Sequence, residues 1–124
     1  MEGAFAFPKS ARLLRRHEFV TVREGGRSFA DGPLAASFRP REEGSPTRPG
    51  AQSAFARVGL TVSSKVGGSV LRNRIKRRLR EAVRLELAGL PPVDLVIVAR
   101  ASAAEASVED FRGWLRRAAA KMRR

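Results

Sequence analysis

The stretch LRNRIKRRLRE, residues 71–81, settles how the chain folds around it. Leu71, Ile75 and Leu79 recur every four positions, so in a helix they form one apolar stripe, which Ala82 extends. At about 100° per residue, Lys76, Arg77, Arg80 and Arg84 then spread over the far side. No acid interrupts the run from Arg72 to Arg80. A solvated helix face ordinarily mixes signs so that residues three and four apart can pair. Crowding like charges over two turns costs repulsion unless an anion offsets it, so the segment reads as a helix that packs on a core and meets a polyanion. Asn73, between two arginines, adds a neutral donor and acceptor suited to a base or sugar edge.

The flanks give the helix its place. Upstream, RVGLTVS (57–63) alternates Val58, Leu60 and Val62 on one side, the pattern of a half-buried strand. Lys65 to Gly68 is a flexible link, and Ser69 is the expected N-cap. Downstream, the helix should run to about Ala88, stopped by Gly89 and the Pro91–Pro92 pair. VDLVIVA (93–99) is nearly all apolar, the pattern of a strand buried on both sides, and reads as the central strand.

Further out, Arg15 to Glu24 reads as a short helix with Phe19 and Val22 on one side and Gly25–Gly26 as its stop. Arg27 to Ala30 and Leu34 to Arg39 read as strands around the turn residues Asp31, Gly32 and Pro33. The strand at 57–63 is expected to return, hairpin-like, to its predecessor across a long loop. Ser107 with Asp110 has capping-box spacing, and Val108, Phe111, Leu115, Ala118 and Met122 follow as the apolar side of a last helix, with Trp114 near its margin. The expectation is an α+β fold of order αβββαβα: a two-layer sandwich of about four strands and three helices, with the helices on one face. Residues 1–124 read as a single domain, with 1–11 flexible and 40–52 a mobile Pro- and Gly-rich surface loop.

Composition narrows the partner. The 124 residues carry 25 Lys and Arg against 12 Asp and Glu, a formal charge of +13. Nucleic acid is the leading partner class. No apolar run approaches the ~20 residues needed to span a bilayer. The first ten residues lack the charged-then-apolar order of a signal peptide, which points to the cytoplasm. Arginine is favoured heavily over lysine, which suits bidentate phosphate contacts, although a GC-rich genome gives the same bias.

Catalytic chemistry leaves no mark. Cysteine is absent and His17 stands alone, so there is no thiolate site and no histidine cluster. Glu42 and Glu43 fall in the Pro-rich loop, Glu81 and Glu86 on the basic helix, and Glu109 and Asp110 in a first turn, where the helix dipole favours them. Gly67–Gly68 is not a phosphate loop, because no Lys-Ser/Thr pair follows. The polypeptide reads as a binder, with a protein-only nuclease disfavoured. Phe19 and Phe38 are open to two readings, core or stacking platform for unpaired bases.

VGLTVSSKVGGSVLRNRIKRRLRE, residues 58–81, closely resembles the signature region of the protein subunit of bacterial ribonuclease P, in which a V-G-(L/I)-x-(V/I)-S-x-K strand and loop precede a helix bearing R-N-R-x-(K/R)-R. Arg12–Leu13, Glu18–Phe19 before Gly25–Gly26, and DLVIVAR (94–100) extend the likeness over nearly the whole chain, though not through the loop at 40–52. The resemblance implies a subunit that joins a large catalytic RNA to remove the 5′ leader of precursor tRNA, with Mg²⁺ held mainly by the RNA and no catalytic residue or metal site in the protein. Arg72, Asn73, Arg74, Lys76, Arg77 and Arg80 would face the catalytic RNA, and Arg15, Phe19, Phe38 and Lys65 the single-stranded leader. No DNA or membrane partner is expected. Two positions depart from the pattern: Ser64 stands where a lysine is frequent, and Arg23 where the first helix often has an aromatic, so the leader cleft should rely more on charge. The family also implies a left-handed crossover around the basic helix, against the usual rule. The alternative is a ribosomal or other structural RNA-binding protein with a similar basic module.

Overall fold

Val93–Ala99, the strand richest in apolar residues, has a neighbour on each side. The computed structural model describes residues 11–13, 15–40 and 56–123. The described elements are α1 (Arg16–Gly25), β1 (Arg27–Asp31), β2 (Leu34–Pro40), β3 (Arg57–Val62), α2 (Ser69–Glu86), β4 (Val93–Ala99) and α3 (Val108–Met122), with 3₁₀ turns at Leu87–Gly89 and Ala101–Glu105. This is the expected αβββαβα order. The flexible leader and the loop expected at 40–52 lie, but for Ala11 and Pro40, outside the described residues.

The sheet order is β1-β2-β4-β3. β2 is antiparallel to both β1 and β4, and β3 runs parallel to β4. The expected return of β3 to β2 is therefore wrong, because β4 comes between them. Burial explains why: Leu95 and Ile97 on one side of β4 and Val96 on the other are all fully buried. Only a central strand hides both sides. β3 buries Val58 and Val62 while Leu60 and Thr61 remain half-exposed, which suits a place at the margin. Gly32, with φ 59°, makes the tight β1–β2 turn, a left-handed conformation that glycine adopts without penalty.

α2 and α3 pack on one side of the sheet, where Ile75, Leu79, Phe111 and Leu115 meet Leu95 and Ile97. α1 lies on the other side, where Leu13 and Val22 cover Val96 with Phe19 and Val98 against them. The single-layer expectation for the helices is corrected on this point: Val96 points away from α2 and α3 and needs its own cover.

Helix ends differ in detail. Gly68, not the expected Ser69, is the N-cap of α2, and Ser69 is its first residue; Gly67 before it passes so close to Leu71 that a Cβ there would lie 2.7 Å from that side chain. α3 starts as expected: the Asp110 N–H donates to Ser107 Oγ at 3.1 Å, and the Ser107 N–H to Asp110 Oδ2 at 2.9 Å. Trp114 is not marginal but buried, stacked on Phe29 at 5.6 Å, with its indole N–H donating to the Asp31 carbonyl at 2.9 Å. That partner satisfies the one polar atom of the ring.

Candidate nucleic-acid interface

With Ile75 and Leu79 wholly buried, α2 must present its arginines outward. Asn73, Arg74, Arg77 and Arg80 are exposed and Lys76 is half-buried. None of these five side chains has a hydrogen bond or ion pair among the described residues. Arg72 is half-buried, and its Nε is shielded from solvent without a partner. Arg78 behaves differently: its guanidinium turns inward to donate to the carbonyls of Ala104 at 3.4 Å and Ala106 at 3.2 Å, tying α2 to the turn before α3. The uncompensated run ends at Arg84, where Glu81 pairs with it and the hydrogen bond from Arg84 lowers the Glu81 carboxyl.

α3 is also rich in arginine, yet its charges are spent internally. Arg112 reaches Glu86 at 2.8 Å and Glu109 at 2.9 Å, Arg116 reaches Glu86 at 3.1 Å, and Arg117 reaches Asp31 at 3.1 Å. The contrast sets Arg74, Arg77 and Arg80 of α2, which have no ion pair among the described residues, apart from the paired arginines of α3. Partnered arginines largely cancel in the far field, and unpartnered ones add.

The second side of the sheet has its own architecture. Arg57 donates through Nε and Nη2 to the two Asp94 carboxylate oxygens, both at 2.8 Å, and through Nη1 to Glu18 at 3.0 Å. The Asp94 hydrogen bond above all holds the Arg57 pKa above its ordinary value. Glu18 also accepts the N–H of Arg15 at 2.9 Å, so one carboxylate joins the start of α1 to β3 and β4. One turn along, Phe19 sits on Gly59, where a Cβ would lie 2.6 Å from the ring.

Of the four residues assigned to the leader, Arg15 is the N-cap of α1 and Phe19 lies in its first turn, and Lys65 is exposed in the turn after β3. Phe38 is separated from them. It faces the α3 side of the sheet, 8% exposed and edge-on to Phe29 at 6.0 Å, so its ring is core and has no room for a base. The alternation of β2 makes this necessary, since Leu34, Ala36 and Phe38 are its buried side.

Two grooves adjoin α1. A small one of about 140 Å³ lies between Arg12, Leu13, Phe19, Leu60, Lys76 and Arg80, so it connects the start of α1 with α2 around β3. A larger one of about 480 Å³ is lined by Arg23 with Ser28, Ala30, Ala35, Ser37 and Val98. Arg12 was not assigned to the site from sequence, and Arg23 entered only as the departure from an aromatic position that makes the leader cleft rely more on charge. The available signal for Arg23 was its spacing four residues after Phe19, on the same side of α1.

Among the described residues no three His, Cys, Asp or Glu side chains gather as a metal site. No described helix is long and apolar enough to cross a membrane. A helix face whose exposed Arg74, Arg77 and Arg80 have no ion pair among the described residues on one side of a mixed sheet, and an open groove on the other, are the features of a small nucleic-acid-binding α+β protein.

Residues 7–123 match the family described as Ribonuclease P. The ribonuclease P protein component of Desulfatibacillum aliphaticivorans is 37% identical over 99 residues, 79% of this chain and 75% of that protein. That of Gluconacetobacter diazotrophicus is 38% identical over 116 residues, covering 89% and 92%. Among solved structures, the Staphylococcus aureus RNase P protein superposes with a TM-score of 0.72 at 22% identity, covering 94% of this chain and 97% of that one. The Thermotoga maritima protein gives 0.67 at 25% identity, covering 86% and 96%. The chain belongs to the ribonuclease P protein component family. It is thus a subunit of the ribonucleoprotein endoribonuclease that, with an RNA subunit, processes the 5′ leader of tRNA precursors.

Proposed function

We propose that Asn73, Arg74, Lys76, Arg77 and Arg80, with Arg72 at their margin, bind the catalytic RNA, while α1 and the open side of the sheet hold the precursor's leader. The observation that carries this reading is the acid-free face of α2 from Arg72 to Arg80, whose exposed side chains have no ion pair among the described residues, beside an α3 whose arginines are paired. Each cation placed on a phosphate releases condensed counterions, which is the main source of affinity for RNA. Arg15 and Lys65 supply phosphate contacts for the leader, and Phe19 a ring edge for an unpaired base. In this reading cleavage belongs to the RNA, which would hold the Mg²⁺ that supplies the hydrolytic chemistry. Lys76 and Arg80 border the small groove shared with Phe19, so the two RNA-facing surfaces adjoin. The whole chain acts as one RNA-binding domain, in the cytoplasm.

Reconstitution with a bacterial catalytic RNA tests this. Added protein should raise precursor-tRNA cleavage at low Mg²⁺ and favour precursor over mature tRNA. No change in rate, affinity or Mg²⁺ requirement would overturn it.

A further inference from the structure

The groove beside Arg23 has a composition that selects for a particular ligand. Its floor comes from the side of the sheet that α1 leaves uncovered, where Ala30, Ala35 and Val98 give a low apolar surface. Ser28 and Ser37 are cross-strand partners at its border, their hydroxyls 2.9 Å apart. One hydroxyl donates to the other, which leaves a second proton and spare lone pairs for a ligand. Arg23 forms the α1 wall, exposed and without a hydrogen bond or ion pair among the described residues.

A phosphate site would gather several cations or backbone N–H groups; this groove has a single guanidinium over a neutral floor. Such a floor suits the flat face of a base, and about 480 Å³ is ample for one. The guanidinium offers only donors. Guanine presents two adjacent acceptors, O6 and N7, whereas adenine pairs its N7 acceptor with an N6 donor. We propose that Arg23, with the Ser28–Ser37 hydroxyl pair, forms a guanine-preferring subsite for one unpaired nucleotide of the leader. The inference rests on the leader reading above and adds a base preference to it.

The test uses the reconstituted holoenzyme and precursor tRNAs that differ only in carrying G, A, C or U at each leader position in turn, compared in competition by kcat/KM. At one position G should exceed A by about fivefold or more, the scale of a single bidentate base contact. Arg23→Lys keeps the charge but not the fork, so it should abolish that preference while precursor remains favoured over mature tRNA. Arg23→Ala should do the same, and Ser37→Ala should reduce the preference. A wild-type enzyme indifferent to every leader base, or Arg23→Lys with its preference intact, overturns the subsite. So does an Arg23→Ala variant that weakens all leaders equally, which marks a phosphate contact. Equal binding of precursor and mature tRNA would instead refute the leader reading itself.

Discussion

The Phe19 ring and the Gly59 backbone share one seat: any side chain at 59 would begin 2.6 Å from the ring. The glycine is required by this close approach rather than by an unusual backbone angle. Gly59→Ala should push the far end of the ring outward and cost about 1 to 3 kcal/mol, the range for overpacking. Thermal unfolding checks the stability. The preference for precursor over mature tRNA should fall with it, with a smaller loss of affinity for the catalytic RNA, because the ring shares its small groove with Lys76 and Arg80.

Arg57 carries more of the same assembly. Its side chain is 11% exposed and holds carboxylates from α1 and β4 at once. Arg57→Met removes the cation and leaves Glu18 and Asp94 facing each other with little solvent. Breaking such a pair from one side costs about 3 kcal/mol. Denaturant unfolding should show this loss, with Asp94→Asn less severe because Glu18 still pairs with Arg57.

Glu86 sets an acid limit. Burial raises its pKa, but hydrogen bonds from Arg116 and Arg112 outweigh that, and the net shift is downward from 4.5. A carboxylate with a lower pKa in the folded state contributes stability above its unfolded pKa and loses it as pH falls through the folded value. Stability should therefore decline below about pH 4.5. Glu86→Gln should flatten that decline in urea titrations and lower stability at pH 7.

How much of this was legible beforehand depended on whether a local pattern or a distant contact decided it. β4 announced its central place because VDLVIVA has no polar side, and α2 its inward face through a repeat of four. The neighbour of β3 was not legible: alternation at Val58, Leu60 and Val62 says that one side is covered, and a parallel partner thirty-odd residues away leaves no local trace. Phe38, open to both readings from its residue type, was assigned to the leader through the resemblance, although Leu34 and Ala36 share its side of β2 and the burial of that side makes the ring core. Arg12 and Arg57 were hidden for another reason. In a chain with 25 basic residues, a cation that anchors a helix or lines a groove looks like any other until its neighbours are known.

Adjacent arginines give the sharpest separation of roles. Arg77 is exposed and unpartnered among the described residues, whereas Arg78 donates to two carbonyls of the turn before α3. Arg77→Ala should leave the unfolding midpoint within error but reduce the log-affinity versus log-salt slope for the catalytic RNA by about 0.7 to 0.9, one phosphate contact. Arg78→Ala should do the reverse: it strands the Ala104 and Ala106 carbonyls and costs about 1 to 3 kcal/mol of stability. Its salt slope should stay at the wild-type value once the variant is folded, because that guanidinium is already committed inside the protein. An equal slope change in both variants would show that Arg78 leaves its carbonyls to meet the RNA.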